Sequence, residues 1–90
     1  MNKEYGLFLT KGIQENFNKD EEFAIQVLES YAKFLKRDWG ETSKDDWKYN
    51  DEAVINGNSI VAKYKTKMGN IFIITERNHT ITTILFASEY

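Results

Sequence analysis

The sequence predicts one α+β domain, a small antiparallel sheet of about four strands with two helices on one face. Three observations carry this. The stretch Ile71–Phe86, IFIITERNHTITTILF, is the densest apolar part of the chain and reads as two strands joined by a polar turn. Residues 59–68 alternate apolar and polar side chains, the mark of a half-buried strand. Phe23, Val27, Tyr31 and Phe34 recur at helical spacing and form an apolar stripe.

Ninety residues make a single domain, 1–90. Apolar residues are 41% of the chain and aromatic residues 14%, enough for a packed core rather than a disordered tail. Taken in order, Tyr5–Thr10 reads as a short first strand, after which Gly12 permits a change of direction. Asn18-Lys-Asp-Glu21 has the spacing of a capping box, in which a short polar side chain and a glutamate satisfy free N–H groups at a helix start. A helix is expected over Asp20–Arg37, with Ala24, Leu28 and Leu35 widening its apolar stripe. Lys33, Lys36 and Arg37 crowd its last turn, where positive charge suits the helix dipole. Gly40 is the expected left-handed stop.

Thr42 or Ser43 can cap a second helix running to about Val54, with Asp45 and Asp46 in its favourable first turn. Trp47, Asn50, Ala53 and Val54 share one side of it, and Asn56-Gly57 stops it. The alternative, a hairpin at Asn56-Gly57, conflicts with the polar run before Ala53. In the strand that follows, Ile60, Ala62 and Tyr64 point one way and Val61, Lys63, Lys65 and Lys67 the other. Gly69-Asn70 reads as a two-residue hairpin turn, setting Met68 opposite Ile71 and Lys63 opposite Glu76. A second turn at Asn78-His79 sets Glu76 opposite Ile81, Ile73 opposite Ile84 and Ile71 opposite Phe86.

This register sorts the sheet into two faces. Ile60, Ala62, Tyr64, Met68, Ile71, Ile73, Ile84 and Phe86 form the face assigned to the helices. Val61, Phe72, Ile74, Ile81 and Leu85 gather on the other, among three lysines and Glu76. The second face is more apolar than a solvent face should be, and something is expected to cover it: a partner protein, a second copy, or the N-terminal segment or second helix.

Net charge is −2 and unevenly spread: residues 38–52 hold six acids and two bases, while residues 53–90 hold four bases and two acids. The chain has no cysteine, which rules out disulfides and thiolate metal sites. The N-terminus has no apolar run of signal-peptide length, and no apolar run could span a membrane, so a cytoplasmic protein is expected.

DWG at 38–40, DW at 46–47, Asn50, Ala53, Gly57, Tyr64, IITE at 73–76, TTIL at 82–85 and EY at 89–90 stand in an order that resembles a family of short, uncharacterised proteins encoded on plasmids, phages and integrative elements. The likeness runs over roughly residues 36–90. Arg77-Asn78-His79 stands where the family pattern has an Ala-Asp-Arg-like tripeptide, and Ala87-Ser88 where it usually has a proline. The resemblance implies a mobile-element context and carries no activity with it.

Enzyme chemistry finds little footing. His79 is the only histidine and falls in a turn, no serine sits in a nucleophile elbow, and the glycines are too scattered to cradle a phosphate. Asp45 and Asp46 lack calcium-loop spacing. The expectation is therefore a non-enzymatic protein without cofactor or metal. It would bind a host or phage protein, in the mobile-element context as an inhibitor of a host defence system such as a CRISPR nuclease complex. The expected contact residues are Phe72, Ile74, Ile81 and Leu85, with Lys63, Lys65, Lys67, Trp39, Glu76 and Arg77 around them. The alternative is a small nucleic-acid-binding regulator whose lysine strand tracks a backbone while Phe72 stacks a base. A hydrolase built on Glu76, Arg77 and His79 ranks last.

Overall fold

The computed structural model describes residues 6–90. Its elements are strand β1 (Gly6–Leu9), helices α1 (Lys11–Lys19), α2 (Glu21–Leu35) and α3 (Lys44–Asn56), and strands β2 (Ile60–Thr66), β3 (Gly69–Thr75) and β4 (Ile81–Phe86). Short 3-10 turns follow at Arg77–His79 and Ala87–Glu89. The sheet runs β1-β4-β3-β2 and is mixed: β2–β3 and β3–β4 are antiparallel hairpins, and β1 lies parallel to β4. The α+β class stands, with the purely antiparallel sheet corrected by that one pairing.

The helical part departs from expectation at its start. Residues 11–19 form a helix whose cap is Thr10, accepting the Ile13 N–H. Its only inward anchors are Ile13 and Phe17, four residues apart, so the apolar pattern is thin. The cap of α2 is Asp20 rather than Asn18, its carboxylate accepting the Phe23 N–H at 3.0 Å. That bond first, and the Lys67 ammonium second, hold the Asp20 carboxyl below the usual carboxylate range. α2 buries Phe23, Val27, Ser30 and Phe34, but Leu28 and Leu35 face solvent rather than the core. The left-handed residue closing α2 is Arg37 (φ 64°), not Gly40.

Gly40 (φ 64°) is needed for another reason. It bridges to Lys63 of β2, and a Cβ there would stand 2.5 Å from the Tyr64 ring and 2.7 Å from the Lys63 carbonyl oxygen. The Tyr64 hydroxyl donates to the Asp38 carbonyl at 2.7 Å. Burial, and then the Asp38 carboxylate, push the Tyr64 phenol well above its usual range, so it remains a donor. Trp39 packs edge-on against Phe34 at 5.4 Å and donates its indole N–H to Asp51 at 2.8 Å.

α3 is capped by Ser43 and closed by Gly57 in the left-handed conformation. It runs along the outer edge of β2 rather than lying over a sheet face. Asn50, 1% exposed, donates to the Val61 carbonyl at 2.9 Å and accepts the Val61 N–H at 3.3 Å. Two positions on, Glu41 N–H donates to the Lys63 carbonyl and Lys63 N–H to the Thr42 hydroxyl. Residues 40–50 therefore take the place of a fifth strand and close an edge that would otherwise invite pairing.

The core lies between the sheet and α1–α2. Ile60, Ala62, Tyr64, Ile71, Ile73 and Ile84 are all buried there, against Phe23, Val27 and Phe34. The β3–β4 register is the expected one. The β2–β3 hairpin turns two residues earlier than expected, which shifts the pairing by four: Thr66 opposes Gly69 and Lys63 opposes Phe72, so Lys67 and Met68 form the turn. The even shift keeps every strand residue on its expected face. It removes Met68 from the core face, Lys67 from the lysine row and the Lys63–Glu76 pair. Among the described residues no helix is long and apolar enough to cross a membrane.

Candidate interaction surface

The two faces of the same strands are covered very differently. On the face away from α1 and α2, Val61, Phe72, Ile74, Thr83 and Leu85 are half-buried, and Ile81 is 43% exposed. β1 extends this face, because Phe8 stands beside Thr83 in the parallel register and is 55% exposed. Two aromatic side chains flank it. Tyr90 sits edge-on to Phe72 at 5.2 Å, and Tyr49 of α3 borders a recess of about 340 Å³ with Val61, Lys63, Phe72 and Asp46. Among the described residues no α-helix lies across it, and Asn50 ties α3 to Val61 at the β2 edge.

Most of the expected contact residues therefore share one surface. Phe72, Ile74, Ile81 and Leu85 form its apolar centre by strand alternation, with Lys63 and Lys65 at one margin and exposed Glu76 at the other. Arg77 is exposed in the turn beyond Glu76. Two residues are placed elsewhere. Trp39 is 1% exposed and belongs to the core. Lys67 pairs with Asp20 at 2.9 Å and Glu22 at 3.2 Å, tying the hairpin to the start of α2. The expected contacts left out Phe8, Thr83 and Tyr90: Phe8 joins the surface only through the β1–β4 pairing and Tyr90 only through the C-terminal turn, while Thr83 follows from its place opposite Ile74. Alternation within YGLFLT was the available signal, but nothing local says which strand it joins.

A second concave site lies on the helix side, at the other end of the sheet. This cleft of about 440 Å³ is walled by Leu7, Phe34, Leu35 and Val54, with Tyr31, Arg37, His79 and Thr80 as polar members. Among the described residues three non-glycine residues have positive φ; its rim contains two, Arg37 (64°) and His79 (54°), and the third, Asn78, precedes His79 in the turn. His79 is not a free turn histidine. Its Nε2 is 2.8 Å from the Asn58 carbonyl oxygen, and Asn78 N–H donates to the Gly57 carbonyl at 3.0 Å, so the turn is anchored to the end of α3. Thr75 and Thr82 share a hydroxyl hydrogen bond at 2.8 Å on the cleft floor.

No group of three or more potential metal ligands occurs among the described residues. The Ser30 hydroxyl donates to the Gln26 carbonyl, and the Ser43 hydroxyl accepts the Asp46 N–H as the cap of α3. Comparison with protein-family models, curated proteins and solved structures finds no match.

Proposed function

We propose that the protein is a non-enzymatic binding module that holds a partner protein on the helix-free face of its sheet. The observation that carries this is the contrast between faces. Alternate residues of β2 and β3, with Ile84 of β4, are buried on one side, while apolar neighbours on the other are half-buried or exposed and, among the described residues, have no α-helix over them. An apolar centre with charged margins is the anatomy of a protein contact. Lys63 and Lys65 favour a partner whose own rim is acidic there. The mobile-element setting implied by the resemblance directs the proposal to a host macromolecule, with a defence nuclease complex as the class to test first.

The nucleic-acid reading has less support. Lys67 is engaged by two carboxylates, which leaves Lys63 and Lys65 in the row, and counterion release from two contacts gives little affinity. The test is affinity capture from host extract with wild-type protein and with the Ile74→Lys, Leu85→Lys double variant, both shown folded by circular dichroism. The proposal expects a protein retained by wild type and lost with the variant. Equal retention by both, or retained nucleic acid that washes off with salt, contradicts it.

A further inference from the structure

α2 carries two apolar faces. Phe23, Val27, Ser30 and Phe34 point into the core. Ile25, Leu28, Ala32 and Leu35 follow one another at spacings of three, four and three residues, which is the a/d pattern of a coiled-coil seam. At about 100° per residue this second row lies roughly 150° round the helix from the first. It points away from the sheet: Ile25 is 50%, Leu28 56% and Leu35 64% exposed, and Ala32 is exposed as well. An isolated surface leucine needs no explanation, but four apolar residues in heptad register along one 15-residue helix do.

Charge along α2 indicates what covers the row. Its first turn is acidic, with Glu21 and Glu22, and its end is basic, with Lys33, Lys36 and Arg37. A second α2 running parallel would set acid on acid and base on base. Running antiparallel, it sets each acidic start beside a basic end. A two-fold axis near Ser30 pairs Ile25 with Leu35 of the second copy and Leu28 with Ala32. Large meets small at the centre, so the helices can approach closely. Glu22 then lies beside the second copy's Lys36, twice by symmetry, while Glu29 faces its own copy.

We infer that the exposed row on α2 is a self-association seam, on which two copies of this chain pair their α2 helices antiparallel through Ile25, Leu28, Ala32 and Leu35. The seam is short, so the dimer is weak and concentration-dependent. Pairing through the helix layer leaves both bare sheet faces pointing outward on opposite sides. A dimer therefore offers two copies of the partner surface and gains avidity for any partner that repeats.

The test is sedimentation equilibrium over micromolar to millimolar concentration, with the fold of each variant checked by circular dichroism. Wild type is expected to pass from monomer to dimer in this range, and Leu28→Glu with Leu35→Glu to remain monomeric. Lys36→Glu changes only an exposed charge and should weaken the dimer by roughly three- to tenfold, since two ion pairs become repulsions. Glu29→Gln should tighten it by a few-fold, because only the antiparallel arrangement sets Glu29 against itself. A wild type that stays monomeric throughout overturns the inference. So does a Leu28→Glu, Leu35→Glu variant that still dimerises, or an affinity indifferent to Lys36→Glu and Glu29→Gln.

Discussion

Replacing Asn50 by leucine, which keeps the branched shape but not the amide, should unravel the edge of the sheet. The Asn50 amide satisfies both backbone groups of Val61, at 2.9 and 3.3 Å, in a position 1% exposed. Leucine removes both hydrogen bonds and leaves a buried N–H and C=O without partners. Each lost bond costs about 1 kcal/mol net, and a backbone group left dry adds about 1–3 kcal/mol. Part of the second cost is relieved if water enters, so the expected loss is about 2–3 kcal/mol. A domain of this size has roughly 5–14 kcal/mol in total. One kcal/mol shifts its melting temperature by about 4–8 °C, so the fall should be about 10–20 °C. Asn50→Asp should be at least as harmful, because a carboxylate can accept from Val61 N–H but meets the Val61 carbonyl with a second acceptor. Urea unfolding of wild type, Asn50→Leu and Asn50→Asp measures this directly. A leucine variant within about 0.5 kcal/mol of wild type would mean that α3 is held by packing alone and that the substitute-strand account of residues 40–50 is wrong.

Two further outcomes follow from single contacts. Asp20 has its carboxyl held low in the folded state, so the stability it contributes is present above its unfolded pKa and is lost as pH falls through the folded one. Asp20→Asn keeps a cap but not the charge, so its stability should decline less than wild type's between pH 7 and about pH 3, as read by thermal melts. His79→Asn, a residue tolerated at positive φ, should lose the tie to the Asn58 carbonyl and about 1 kcal/mol of stability while partner capture stays within a few-fold. Complete loss of capture with an intact fold would transfer the binding role to the cleft.

What could be read from the sequence was what neighbouring residues decide. The β3–β4 register follows from alternation on either side of one polar turn, and the face of each β2 residue survived a four-residue error in the hairpin because the error was even. The turn itself was misplaced because Gly69-Asn70 has the composition of a tight turn, yet both residues are paired in β3 while Lys67 is drawn round to Asp20 and Glu22. α1 escaped notice because Ile13 and Phe17 are its only inward anchors. Leu28 and Leu35 were assigned to the core because an apolar residue beside an apolar stripe looks like more of the same stripe; only the packed structure separates the two rows of α2. The parallel placement of β1, and with it Phe8, depends on contacts across the whole chain. The spacing of Asn50 with Trp47 and Ala53 marked its side of the helix, but nothing local named Val61, eleven residues on, as the backbone it would bind.

The central claim is that partner contact falls on the bare sheet face. Hydroxyl-radical footprinting of the protein alone and bound to its captured partner tests it most directly, because the competing surfaces carry different side chains. Phe8, Phe72, Ile81 and Leu85 report the sheet face, Ile25 and Leu28 the α2 seam, and Leu7 and Tyr31 the cleft. The account predicts protection of the first group on partner binding, with the second changing only as protein concentration changes and the third unchanged. Protection confined to Leu7 and Tyr31, or to Ile25 and Leu28, with Phe72 and Leu85 labelled as in the free protein, would contradict it.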